Sequence, residues 1–148
     1  MQKEKLKLLP ILVKYRPGMP KIEKHGVMYD LATSETVTIA KGQVKMIDLG
    51  VAIQLPKGHF ARVYPRSSTF KKWHILLANS VGIIDPEYCG DDDYWQFPAY
   101  AIETVTIPKG TRIAQFEIAS DADQFYSFIV ETKHLNNPNR GGFGTTGD

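Results

Sequence analysis

An all-β fold is what this 148-residue chain predicts. Short runs rich in β-branched and aromatic residues recur along it, at residues 35–40, 44–55, 60–64, 102–107 and 112–118. Turn signals separate them: Lys41-Gly42, Pro56-Lys57-Gly58 and Pro108-Lys109-Gly110. Helical periodicity is almost absent. Together these features argue a sandwich, barrel or jelly roll. The length suffices for one domain with a real core.

Taken in order, residues 6–13 are mostly apolar but contain Pro10, so they read as a strand at a sheet edge, where a missing N–H is tolerated. The run Arg16-Pro17-Gly18-Met19-Pro20 is a loop. Residues 35–40 form a strand carried by Thr36, Val37, Thr38 and Ile39. Residues 44–55 alternate until Gly50, the mark of a strand pair or a bulged strand. Residues 60–64 alternate again and run into Pro65. Residues 67–72 are the one segment able to form a short helical turn. Residues 75–78 and 81–84 are apolar, and the second run ends in the carboxylate of Asp85. Pro86 biases Asp85 towards extended backbone and fixes its own φ for a turn. A hairpin with Asp85 and Tyr88 near its bend is therefore expected. Read alone, Asp85 would be a turn residue bonded to its own backbone. Residues 94–100 are aromatic, and residues 112–118 and 125–131 read as the last strands. From residue 135 the composition changes to Asn136-Asn137-Pro138-Asn139 and a Gly-rich run, which cannot build a packed core. The division expected is a β domain over 1–134 and a flexible tail over 135–148.

Net charge is +2 and the pI about 8.6. That is not the dense positive footprint of a nucleic-acid binder, so no nucleic-acid partner is expected. A single cysteine, Cys89, excludes an internal disulfide framework and suits a reducing cytosol, so a cytoplasmic location is expected. The charged start, Met1-Gln2-Lys3-Glu4-Lys5, lacks the apolar core of a secretory leader. No apolar run is long enough to span a bilayer, so no membrane partner is expected. His25, His59, His74 and His134 show no zinc spacing. Asp91-Asp92-Asp93 reads as a solvated acidic turn.

Five stretches carry more than fold. They are His25-Gly26-Val27-Met28-Tyr29-Asp30-Leu31-Ala32, Pro65-Arg66-Ser67-Ser68, residues 79–90 around Asp85, Gly110-Thr111-Arg112-Ile113-Ala114-Gln115, and residues 140–147. In this order they resemble the five signature motifs of the trimeric dUTPases (deoxyuridine triphosphate nucleotidohydrolases). The resemblance spans nearly the whole chain. It departs at Val27-Met28, where the family usually has Ala-Gly, at Ser68, usually Gly, and in a fifth motif shortened between Arg140 and Phe143.

The resemblance implies a jelly-roll-like subunit in a homotrimer with active sites at subunit interfaces. It implies Mg2+-assisted hydrolysis of dUTP to dUMP and pyrophosphate, which limits uracil in DNA and supplies dUMP for thymidylate synthesis. Asp85 would be the base, holding a water for attack on the α-phosphorus. Tyr88 would pack on the deoxyribose and leave no room for a 2′-hydroxyl. Asn79, with the backbone of Gly82 and Ile83, would read uracil. Arg66, Ser67, Ser68 and Gln115 would hold phosphates. Asp30 would meet the metal through water or support Arg66, and Arg112 would be structural. The tail would close as a lid, with Arg140 on the γ-phosphate, Phe143 stacked on uracil, and Thr145 and Thr146 adding hydroxyls. Trp73, Tyr94, Trp95 and Phe97 are alternative stacking rings. Two other functions fit less well: a dCTP deaminase, which would need a glutamate base, and a regulatory protein that binds a protein partner through the acidic-aromatic stretch 91–100.

Overall fold

The computed structural model describes residues 9–120 and 129–141. Its elements are β1 (Leu12–Tyr15), β2 (Lys24–His25), β3 (Met28–Ala32), β4 (Val37–Ile39), β5 (Val44–Asp48), β6 (Val51–Gln54), β7 (His59–Pro65), α1 (Thr69–Trp73), β8 (Ile75–Leu77), β9 (Gly82–Ile84), β10 (Gln96–Ala101), β11 (Val105–Ile107) and β12 (Arg112–Ser120). The expected all-β architecture is present, and the pairing is antiparallel throughout. A five-stranded sheet runs β2-β3-β12-β7-β9. A three-stranded sheet runs β5-β10-β8, and β1-β6 and β11-β4 form two-stranded ribbons. No helix among the described residues is long and apolar enough to cross a membrane.

Alternation sets which face is buried. On β10, Phe97, Ala99 and Ala101 point inward while Gln96 and Tyr100 stay exposed. On β12, Ile113, Ala114 and Phe116 are buried. Phe116 stacks on Tyr29 with centroids 5.0 Å apart and takes Trp95 edge-on at the same distance. These rings join the five-stranded sheet to the rest of the core. Between β5 and β6 the chain turns at Gly50, whose φ is 68°. A Cβ there would fall 2.6 Å from the Met19 side chain, so a larger residue meets both strain and a clash.

Several expectations change. Of the strand expected at 6–13, residues 6–8 lie outside the described residues, and the first described strand starts at Leu12, after Pro10, because the ladder with β6 begins only where N–H donors are continuous. Strand β3, centred on the buried Asp30, was masked in the sequence by that acidic residue. The hairpin expected around Asp85 does not form. Strand β9 pairs with β7, and no strand returns beside it after Tyr88. Cys89-Gly90-Asp91-Asp92-Asp93 offers nothing to bury against β9, whereas the next apolar run fits between β5 and β8 as β10. Of the strand expected at 125–131, residues 125–128 lie outside the described residues, and 129–131 have no regular structure, with Ile129 fully exposed.

Candidate active site

A cluster of polar groups around Arg66 is built from the middle of the five-stranded sheet. Register places Gln115 of β12 opposite Asp30 of β3 on one side and Tyr64 of β7 on the other. Between Arg112 and Ala114 the register with β3 shifts, so one residue is extra. That frees the Ile113 carbonyl, which accepts hydrogen bonds from Thr69 Oγ1 (2.6 Å) and Arg66 N (3.2 Å). Thr69 is buried and its hydroxyl also accepts from Arg66 N at 3.0 Å. The turn 66–69 is thereby fixed to β12.

The Arg66 side chain is held as well. Its Nη1 donates to the Arg112 carbonyl (3.2 Å), and its Nε stands 3.4 Å from Asp30 Oδ1. Asp30 is 6% exposed, and its Oδ2 has no hydrogen-bond partner, with His25 Nε2 3.4 Å away. Behind them Arg112 Nη1 donates to Glu23 Oε2 at 3.1 Å. That bond holds the Glu23 carboxyl below its usual range and raises the Arg112 guanidinium. Gln115 Nε2 donates to the Pro65 carbonyl at 3.1 Å, tying the fourth stretch to the second. Ser67 is exposed, and Ser68 precedes α1 without a capping bond from its hydroxyl, so both can face a ligand.

Asp85, Tyr88 and Asn79 sit on loops that flank the edge strand β9. Asp85 is exposed. Its Oδ1 accepts from Glu87 N at 2.8 Å and its carbonyl accepts from Tyr88 N at 3.0 Å. Among the described residues nothing bonds Oδ2. Tyr88 is 40% exposed, and its hydroxyl donates to the Tyr94 carbonyl at 2.9 Å. Burial, then the charges of Asp93 and Asp48, push the Tyr88 phenol up, which keeps the hydroxyl a donor. Asn79 lies in the turn between β8 and β9; a Cβ on Gly82 would come within 3.8 Å of its Nδ2 and 3.3 Å of Val63 Cβ. Gly82 therefore leaves room for the Val63 side chain of the paired strand and for the Asn79 amide. Ile83 is exposed at the sheet edge.

The structure gathers Asp30, Arg66 and Gln115 but does not bring them to Asp85. Ile84 pairs with Ala61, and Arg66 lies five residues further on, one residue past the end of β7. At about 3.3 Å per residue that is roughly 17 Å. Arg140 is exposed, and among the described residues no ion pair or hydrogen bond joins it to the others of this set. Phe143, Thr145 and Thr146 lie outside the described residues. Of the alternative stacking rings, Trp95 and Phe97 are fully buried in the core and cannot reach a base. Tyr94 carries the Arg16 guanidinium 3.7 Å over its ring, and Trp73 packs on the core. Within 91–100 the exposed ring is Tyr100, and Asp93 turns back to accept from Gly90 N at 2.8 Å. Sequence reading missed Thr69, Glu23 and Arg16; their partners lie 44, 89 and 32 residues away, where no local pattern points.

A family model described as dUTPase matches residues 18–147. The chain belongs to the dUTPase family. A prophage-derived deoxyuridine 5′-triphosphate nucleotidohydrolase of Bacillus subtilis is 44% identical over 124 residues, covering 84% of this chain and 86% of that protein. The deoxyuridine 5′-triphosphate nucleotidohydrolase of Lactococcus lactis is 32% identical over 97% of this chain and 99% of its own. Among solved structures, the dUTPase of Streptococcus mutans superposes with a TM-score of 0.67 at 20% identity, covering 81% of this chain and 98% of that one. The dUTPase of Staphylococcus aureus phage phi11 gives the same TM-score at 19% identity, over 87% and 97%. The all-β dUTPase fold is thus shared with both.

Residues that could hold a metal are few. Among the described residues no three His, Cys, Asp or Glu side chains converge. The orphaned Asp30 Oδ2 stands beside His25, and the other oxygen beside Arg66. This does not fit an all-protein cage. It fits a Mg2+ that brings phosphate oxygens and water as its own ligands.

Proposed function

We propose that the chain hydrolyses dUTP to dUMP and pyrophosphate, and so removes a uracil source from DNA synthesis and supplies dUMP for thymidylate formation. The observation that carries this reading is a tethered guanidinium, Arg66, and, on a separate loop of the same chain, a carboxylate, Asp85, that has one oxygen anchored and one open. Asp85 Oδ2 would orient a water and take its proton. The water oxygen forms a bond to the α-phosphorus, the bond to the α–β bridging oxygen breaks, and pyrophosphate leaves with that electron pair. Arg66, Ser67, Ser68 and Gln115 would hold the negative oxygens as charge shifts to the leaving group. A Mg2+ carried by the triphosphate would neutralise part of that charge, with Asp30 facing it through water. Asn79 and the backbone of Gly82 and Ile83 would read uracil, and Tyr88 would lie on the deoxyribose.

The separation of Asp85 from Arg66 along β7 supports a site shared between copies of the chain, as in a homotrimer. The domain 1–134 would supply the fixed groups. The tail 135–148 would close over the nucleotide, bringing Arg140, Phe143, Thr145 and Thr146. Solved relatives are described as binding a structural Mg(II) ion, for phage phi11, and as controlling transfer of virulence genes, for phage 80alpha. At this distance they support only the fold.

The test is pyrophosphate release with Mg2+ from dUTP, dCTP, dTTP and UTP side by side. Release confined to dUTP is expected. Turnover of dCTP would move the site towards deaminase chemistry, and silence towards all four from a folded trimer would overturn hydrolysis.

A further inference from the structure

Tyr88 can reject a ribose hydroxyl only if its ring cannot yield. Yet it stands on a loop, 40% exposed, past the end of an edge strand. What fixes it lies outside the five motif stretches. Its hydroxyl donates to the Tyr94 carbonyl at 2.9 Å. The Tyr94 ring lies under the Arg16 guanidinium at 3.7 Å. Arg16 meets Asp48 through two bonds, Nε to Oδ1 at 3.0 Å and Nη2 to Oδ2 at 2.8 Å. Asp48 Oδ1 also accepts from Gly50 N at 2.7 Å, and Arg16 N donates to the Gly50 carbonyl at 2.9 Å. The next residue, Trp95, is tied on both sides, its N to the Val51 carbonyl (2.8 Å) and its carbonyl to Leu49 N (2.9 Å). A planar, doubly bonded guanidinium stacked on a ring is a stiff joint, because both its tilt and its distance are fixed.

We propose that Arg16, braced by Asp48 and stacked on Tyr94, is a positioning residue that sets the discrimination between deoxyribose and ribose by holding Tyr88 against the sugar. The inference rests on the reading that Tyr88 meets the sugar. The Lys14 Nζ bond to the Asp91 carbonyl (2.9 Å) and the Gly90–Asp93 closure steady the same loop from its far side. Arg16 acts through Tyr94 and Tyr88 and touches no substrate atom. Releasing the clasp lets the ring move by the width of an oxygen atom, so UTP gains more than dUTP loses.

The experiment compares kcat/KM for dUTP and for UTP in the full-length chain and in Tyr94→Ala, Tyr94→Phe, Arg16→Ala and Tyr88→Phe, with thermal melts as the folding control. Tyr94→Ala and Arg16→Ala are expected to lower the dUTP-over-UTP ratio by about tenfold, the scale at which pocket shape discriminates small groups. Tyr94→Phe keeps the stacked ring and is expected to keep the ratio. Tyr88→Phe removes one oxygen and its bond to Tyr94, and is expected to lower the ratio by a few-fold while folding normally. An unchanged ratio in folded Tyr94→Ala and in Tyr88→Phe overturns the inference. So does a loss shared equally by both nucleotides, which would make the clasp merely structural. Wild-type turnover of UTP as fast as dUTP would overturn the placement of Tyr88 itself, a distinct failure.

Discussion

Arg66 stands just past the end of a central strand of the sheet, whereas Asp85 stands on a loop beyond the sheet's edge. Arg66 is tethered through its backbone N to Ile113 and Thr69, through Nη1 to Arg112, and beside Asp30 through Nε. Asp85 is tethered through one carboxylate oxygen and its carbonyl, both to its own turn. Groups that stabilise developing phosphate charge work best when fixed before the substrate arrives. A base needs only one oriented oxygen and access to water. The rigid half suits the first task and the looser half the second, and the gap along β7 is what a neighbouring copy would close.

The largest expected effect comes from breaking the looser half at its centre. Asp85→Asn should lower kcat by roughly 10²–10⁴ while a non-hydrolysable dUTP analogue still binds, since the amide keeps the turn but cannot take a proton. Turnover that persists would remove Asp85 as the base. Mixing two variants tests whether the rigid and looser halves of one site lie on different copies. If the site is shared in a homotrimer, as proposed, Asp85→Asn and Arg66→Ala proteins, each nearly inactive, should regain turnover when dissociated and reassembled together, because some sites then draw both intact residues from different copies. No recovery in a verified mixed trimer would place both residues of a site on one chain.

How far the sequence showed this differs between the halves. Strand and turn order were readable because β-branched runs and Lys-Gly turns are local signals, and Gly42, Gly58 and Gly110 do sit at positive φ. Asp85, Tyr88 and Arg66 were singled out by the motif stretches alone. The partner of β9 was not: it pairs back to β7 across α1 and β8, and local turn chemistry at Pro86 suggested a neighbour that does not exist. Asp30 hid β3 because a buried acid breaks the apolar alternation. Trp95 and Phe97 looked like candidates for a base stack because sequence proximity to a motif does not say which side chains at the start of β10, and just before it, are buried. Thr69 and Arg16 stayed invisible because each works through a contact set only by the tertiary fold.

Thr69→Val sharpens the rigid half. Valine fills nearly the same volume but leaves the Ile113 carbonyl and the Arg66 N without the hydroxyl between them. Stability should fall by about 0.5–1.5 kcal/mol, the net worth of a lost hydrogen bond, because Arg66 N still donates to the Ile113 carbonyl. KM for dUTP should rise more than kcat falls, because the phosphate arc loosens before chemistry begins. A stability loss with unchanged KM would show that the arc does not depend on this anchor.

The smallest effect concerns the brace behind Tyr88 and is visible mainly in acid. Burial pushes the Asp48 carboxyl up, but the bonds from Arg16, Ser34 and Gly50 N outweigh it and hold the group below its ordinary range. A carboxyl depressed in the folded state contributes stability that is present above its unfolded pKa, about 3.9, and lost as pH falls through the folded value. Asp48→Asn should therefore lower Tm at pH 7, with a gap from wild type that holds down to about pH 4 and narrows below it. A gap that stays constant to lower pH would assign the loss to packing around β5, leaving the charge on Asp48 without a part in bracing the loop. A gap that narrows in acid, together with a dUTP-over-UTP ratio that drops in the same variant at neutral pH, would tie the ionised carboxylate to the sugar side of the site and to nothing on the phosphate side.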